Sequence, residues 1–172
     1  MTSILKVSTI QDPTNSNTAM TIDAAGRVLM PVKPVFFANG QSLGWISGPG
    51  STTVITGWDT SNSNYINQGG MSYSSGAVTV PVAGVYRVTS QIMGRLSSGQ
   101  YVIIRPAKNG TVQNNGQLYA SGGTFSIEHT VSSNILVNCL ANDVIDIRVI
   151  GSGSGEDYYL EEYSNFGIEL VS

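Results

Sequence analysis

The sequence predicts an all-β sandwich preceded by a short strand-forming arm, and three features lead to that expectation. Charged residues make up only 11% of the chain while glycine occurs 20 times, a balance that suits short strands and turns and supplies too few charges to solvate helices. Runs of alternating apolar residues recur from Val35 onward with turn-forming residues between them. No segment carries helical periodicity over a useful length. At 172 residues, one compact domain plus an appendage is the expected organisation.

Residues 1–34 form the arm. Ile4, Leu5, Val7 and Ile10, then Met20 and Ile22, lie in two alternating bursts separated by DPTNSNT, which reads as strand, turn, strand. A third burst at 28–30 follows a turn at 23–26 and is closed by Pro31 and Pro34. Their missing N–H groups and restricted predecessors place a hinge at 31–34. So short a segment cannot bury a core of its own and exposes unpaired strand edges. Leu5, Val7, Ile10, Ile22, Val28 and Leu29 are therefore the candidate attachment residues, to be covered by sister chains or by a larger particle.

Residues 35–172 form the head. Strands are expected at 35–38, 44–46, 53–57, 77–80, 84–95, 100–108, 117–120, 124–131, 134–139, 143–150 and 163–171, the spacing of a sandwich or jelly roll. Asn39-Gly40 and Asn109-Gly110 accept positive φ and predict hairpin turns, and the glycine-serine alternation at 151–155 predicts a flexible tip. The polar, glycine-rich stretch 59–76 predicts a long surface loop.

At residues 76–88 the chain reads GAVTVPVAGVYRV, which resembles the C1q-family signature of a glycine, an apolar strand and then Pro-x-x-Gly-x-Tyr. The matching positions are Gly76, Pro81, Gly84 and Tyr86, with Pro81 ending one strand and Gly84 allowing a tight bend into the next. Further matches follow in family order: a first strand at 34–38, a central hairpin closing on Asn109 and Gly110, an apolar strand pair around Asp143, and a last strand at Tyr163, Phe166 and Gly167. The sequence departs from the pattern at Val78 and Val88, where the family carries aromatics, and at Asn142, where it carries glycine before the aspartate; Asn also tolerates the left-handed conformation. The resemblance spans 34–171 and implies a C1q/TNF-like jelly-roll head that forms a homotrimer about a threefold axis and binds through exposed loops. A second resemblance lies in the arm: LKVSTIQDPTNSNTAMTIDAAGRVLMPVKPVF is similar to the leader of marine and cyanobacterial phage structural proteins. It implies a place on the virion surface, held there by contact between the arm and other virion proteins.

The chemistry-bearing residues point away from catalysis. His129 is the only histidine, so any triad or histidine-based zinc site would rest on it alone; alternation places it on a strand face with Ile127 and Val131. Cys139 excludes an intrachain disulfide, sits in an apolar alternation with Ile135 and Val137, and has no local base to make it a thiolate. The 151–155 stretch lacks the Lys-Ser/Thr ending of a phosphate loop, and Asn109-Gly110-Thr111 is explained by a hairpin turn without any glycan. Glu156, Asp157, Glu161 and Glu162 could offer Ca²⁺ its oxygen ligands, yet no helix–loop calcium pattern is present. The expected cofactor complement is none, with Ca²⁺ the one alternative. Trp58, Tyr65, Tyr158 and Tyr159 are candidate receptor-loop aromatics, able to stack on a glycan or anchor a protein.

A net charge of −3 supplies no footprint for nucleic acid, and no apolar run approaches the roughly 18 residues of a membrane span. The first twelve residues also lack the pattern of a signal peptide, so synthesis in a host cytoplasm is expected. The function expected is that of a non-enzymatic bacteriophage structural protein, a trimeric short tail fibre or knob, or a capsid decoration, whose head faces outward toward a host-surface glycan or protein. The alternative is a free, soluble C1q-like recognition protein acting as lectin or ligand.

Overall fold

The computed structural model describes residues 7–11, 18–30, 33–47, 49–116, 118–121, 127–151 and 157–172. In the arm, β1 (Thr9–Gln11), β2 (Thr18–Ile22) and β3 (Val28–Leu29) form a three-stranded antiparallel sheet. Ile10 lies opposite Met20, and Ile22 opposite Val28, so alternation collects these four on one face while Thr9, Thr21 and Leu29 share the other. The β2–β3 turn is locked by Asp23, whose carboxylate accepts hydrogen bonds from the N–H groups of Ala25 and Arg27, both at 2.9 Å, and from the Arg27 side chain at 2.6 Å. Those bonds hold the Asp23 carboxyl below its usual range, the Arg27 N–H first among them.

The head is a two-layer sandwich. Its strands are β4 (Val35–Gly40), β5 (Trp45–Ser47), β6 (Thr53–Val54), β7 (Trp58–Asp59), β8 (Ile66–Gln68), β9 (Ser72–Ser74), β10 (Ala77–Thr79), β11 (Gly84–Leu96), β12 (Tyr101–Lys108), β13 (Thr111–Val112), β14 (Leu118–Ser121), β15 (Ile127–Cys139), β16 (Val144–Gly151), β17 (Asp157–Tyr159) and β18 (Asn165–Leu170). In the first layer β15 pairs with β11 along the full length of both, β18 and β17 share the other side of β11, β4 and β5 follow, and β7 and β8 close the edge on β4. In the second, β14 and β13 flank β12, then come β16, β10 with β6, and β9. The pairings of β11 with β18, β18 with β4 and β12 with β16 join strands distant in sequence, the winding of a jelly roll.

Period-2 alternation explains the core. On β11, Tyr86, Val88, Ile92 and Leu96 are buried while Arg87 and Arg95 are exposed, and on β15 Val131, Ile135, Val137 and Cys139 face the same way. Opposite them lie Val102 and Ile104 of β12 and Ile145, Ile147 and Val149 of β16. Phe36 anchors one end, packed on Phe166 at 5.5 Å and stacked on Tyr73 at 5.4 Å, with Trp58 against Phe166 at 5.5 Å. Each such ring contributes about 1.5–3 kcal/mol by leaving water.

Four expectations need correction. Asn39-Gly40 is no hairpin turn: both residues end β4, paired with Asp59 and Trp58, and neither has positive φ. Glycine is needed there by close approach, since a Cβ on Gly40 would sit 2.7 Å from the Glu161 backbone. The stretch 59–76 is not one loop, because Ile66–Gln68 adds to the free edge of β4 and Ser72–Ser74 to the edge of β10. An open edge offers hydrogen bonds to any extended neighbour, polar or not. The strands expected at 124–131 and 134–139 are one strand where described, from Ile127 to Cys139; residues 124–126 lie outside the described set. The apparent break at Ser132-Ser133-Asn134 is bridged by the unbroken ladder to β11, where Ser133 faces Ser90. Finally, β13 and β17 fall in segments expected to be turn or loop.

Candidate attachment and self-association surfaces

The arm presents the first surface. On its apolar face Ile10 is 48% exposed, Ile22 39% and Val28 54%, a density of uncovered aliphatic side chains that water does not favour. Val7 and Leu29 are exposed as well, Leu29 on the opposite face; Leu5 lies outside the described residues.

The outward face of the β11/β15 layer is the second. Odd-numbered β11 residues and even-numbered β15 residues point away from the core, giving cross-strand rows of Thr89 with Asn134, Gln91 with Ser132, and Met93 with Thr130. Phe37 of β4 and Asn165 of β18 continue the surface. The middle of this face is uncharged. Charge collects at the two ends: at one Glu169 bonds Arg87 at 2.8 Å and lies 3.5 Å from Lys33, and at the other Arg95 stands in register with Glu128 and Asp157. Leu136, beside Arg87, is 57% exposed. Gly167 belongs to the middle, where a Cβ would lie 2.7 Å from Thr89 Oγ1 and 3.3 Å from Phe37 Cδ2, so the missing side chain lets Phe37 lie against the strand.

The residues of the sequence signature act as joints. Gly76 has φ +87°, and a Cβ there would fall on the Ile55 carbonyl. Pro81 follows the last residues of β10. Gly84 opens β11 without a positive φ; its requirement is the close approach of Leu170 and of the Ser172 backbone, both within 2.6 Å of a Cβ, and not the tight bend expected. Tyr86 is fully buried and donates its hydroxyl hydrogen to the Val82 carbonyl at 2.9 Å, and burial raises its pKa. Asn109 and Gly110 form the anticipated positive-φ turn, and Asn142 takes φ +70° in the neighbouring one. The two turns are latched: Asn109 Nδ2 donates to Asp143 Oδ1 at 2.7 Å, the Leu140 N–H to Asp143 Oδ2 at 2.9 Å, and the Val144 N–H to Asn109 Oδ1 at 2.8 Å. The Asn109 bond leads the causes that hold Asp143 below the usual carboxylate range. Phe166 is core, and Tyr163 is exposed.

The receptor-loop aromatics do not come together on the surface. Trp58 and Tyr158 are buried, and Tyr65 packs edge-on against Phe36 at 5.9 Å, so the core claims all three rings. Only Tyr159 remains partly open, stacked on Tyr163 at 6.5 Å with its hydroxyl bonded to Glu161, which pushes the phenol pKa up to about 12. Glu162 is exposed, the side chains of Glu156 and Asp157 lie outside the described residues, and no group of three or more His, Cys, Asp or Glu among the described residues could hold a metal ion. His129 is half-buried on the core-facing row with Val131, and its Nε2 has no hydrogen-bond partner among the described residues. Cys139 is buried, which raises the thiol pKa.

No protein-family model matches the chain, and no curated protein does. The architecture is that of a C1q/TNF-like jelly roll. Among solved structures, Eiger TNF from S. frugiperda superposes with a TM-score of 0.60, covering 81% of this chain and 93% of its own at 17% identity. At that identity the likeness is one of fold.

Proposed function

We propose that this chain is a non-enzymatic bacteriophage structural protein, a homotrimeric knob or short fibre whose arm seats it on the virion and whose head faces outward for host-surface binding or capsid decoration. The observation that carries the reading is the arm sheet: three short strands with Ile10, Met20, Ile22 and Val28 on one face and, among the described residues, no layer over them. Such a sheet gains stability chiefly when a partner covers it. The likeness of the leader to those of phage structural proteins supports the virion as that partner. Self-association of the head rests on the uncharged middle of the β11/β15 face, whose ion pairs sit at its rim as at protein interfaces.

Imaging of purified particles tests attachment. Replacing Ile10 and Ile22 with Asp should remove the protein from particles while the thermal transition of the head stays in place. Wild-type occupancy of the double variant would overturn the reading. Light scattering tests the trimer, which Leu136→Arg should weaken; a wild-type monomer at micromolar concentration would count against closed symmetry.

A further inference from the structure

The outward face of the second layer carries a charge imbalance. Arg105 of β12 and Arg148 of β16 lie directly opposite each other in the antiparallel ladder, with Val54 of β6 next in the row. Alternation sends both side chains away from the core, since their neighbours Ile104, Ile147 and Val149 face inward. Like charges in that position repel, with Cβ atoms only about 4.5–5.5 Å apart. One carboxylate serves the pair. Asp146, itself buried, is held by Arg148 in a two-point contact, Nε to Oδ1 at 2.7 Å and Nη2 to Oδ2 at 3.2 Å. Arg105 has no carboxylate partner among the described residues, and its Nε is buried without a hydrogen bond. Ile103 and Ile150 form the adjoining row on one side and Ala107 with Asp146 the row on the other, so apolar side chains take up most of the space beside Arg105. A partly dehydrated guanidinium without a counter-charge is unfavourable, and an oxyanion on its open Nη edge would relieve it through charge-assisted hydrogen bonds.

We propose that Arg105, backed by Arg148, is a binding site for an oxyanion group such as sulfate, met either as the free ion or as an ester on a glycan. Asp146 fixes the orientation of Arg148 through its two-point contact. The attachment arm and the β11/β15 face play no part in it.

Calorimetric titration of the full chain at low ionic strength tests the site, with sodium sulfate, a sulfated oligosaccharide and its desulfated form as probes and chloride as the ionic-strength control. Wild type should bind sulfate saturably, and Arg105→Gln should weaken that binding by about tenfold or more. Arg87→Gln, on the other layer, should leave it unchanged. Arg105→Lys, which keeps the charge and loses the fork, should retain a weakened site and guards against a folding defect in the glutamine variant. Tighter binding of the sulfated oligosaccharide than of free sulfate, absent after desulfation, identifies the ester as the source; equal affinity identifies the free ion. Sulfate binding that does not saturate, or that is the same in Arg105→Gln and wild type, overturns the proposal.

Discussion

Gly76 and Gly99 make a matched pair that isolates what one carbonyl contact is worth. Both adopt positive φ, +87° and +78°, so alanine at either position forces an L side chain into the left-handed region at about 1–2 kcal/mol. At Gly99 nothing lies within 4 Å of the new Cβ, and the conformational term is the whole effect. At Gly76 the Cβ meets the Ile55 carbonyl, a backbone group in a segment tied to β16 by the bond from the Ile55 N–H to the Ile147 carbonyl at 2.9 Å. Crowding of that kind adds about 1–3 kcal/mol. Gly76→Ala should therefore cost about 2–5 kcal/mol against about 1–2 for Gly99→Ala. Urea unfolding followed by tryptophan fluorescence reads the difference; with a slope of about 2 kcal/mol per molar, a 2 kcal/mol gap separates the midpoints by about 1 M. Protein concentration must be held constant, because association would shift both curves. Coincident midpoints would show that the backbone at Ile55 yields freely and that Gly76 serves conformation alone.

Other substitutions probe the remaining joints. Tyr86→Phe keeps the buried ring and loses the bond to Val82, and should cost about 1 kcal/mol in the same unfolding experiment, whereas Tyr86→Ala should cost about 3–5 kcal/mol; equal losses would mean that the ring is not core. Alkaline titration followed by tyrosine absorbance should show Tyr159 ionising near 12, and Glu161→Gln should bring it down. Because the folded pKa lies above the unfolded one, this contribution to stability is complete below about pH 10 and is lost as the pH rises through about 12; a Glu161→Gln variant with an unaltered alkaline transition would contradict it. Cys139 should resist thiol reagents in the native protein and react on unfolding, and rapid native labelling would show that the β15 end opens.

The long strands β11, β12 and β16 were legible in the sequence because burial on one face writes itself as alternation. The run from Tyr86 to Leu96 has that form, and the sheet simply completes it. The short edge strands were not legible. Ile66–Gln68 and Ser72–Ser74 have almost no apolar content, and they are strands because β4 and β10 offer unpaired backbone groups, a fact of tertiary neighbourhood with no signature in the segment itself. Asn39-Gly40 failed for the opposite reason: a dipeptide suited to positive φ was kept extended by partners on both sides, and its glycine answers the closeness of Glu161.

The surfaces divide along the same line. The arm residues could be picked out because apolar side chains on strands too short to make a core must face something, and Ile10, Ile22 and Val28 do stand uncovered. The aromatics could not be sorted into surface and core by position in a polar stretch. Trp58 sits among Gly57, Asp59 and Thr60, yet its ring lies against Phe166, 108 positions away in sequence, because β7 folds onto the edge of β4. A bulky ring has more to gain from burial than a polar neighbour loses by being carried near it, so in a jelly roll with long crossovers the aromatic that looks like a platform ends up as a plug. The arginine row on the second layer was hidden by the same logic. Arg105 and Arg148 stand 43 positions apart and become neighbours only through the β12–β16 register, and the shortage of carboxylate beside them is visible only once that register is known.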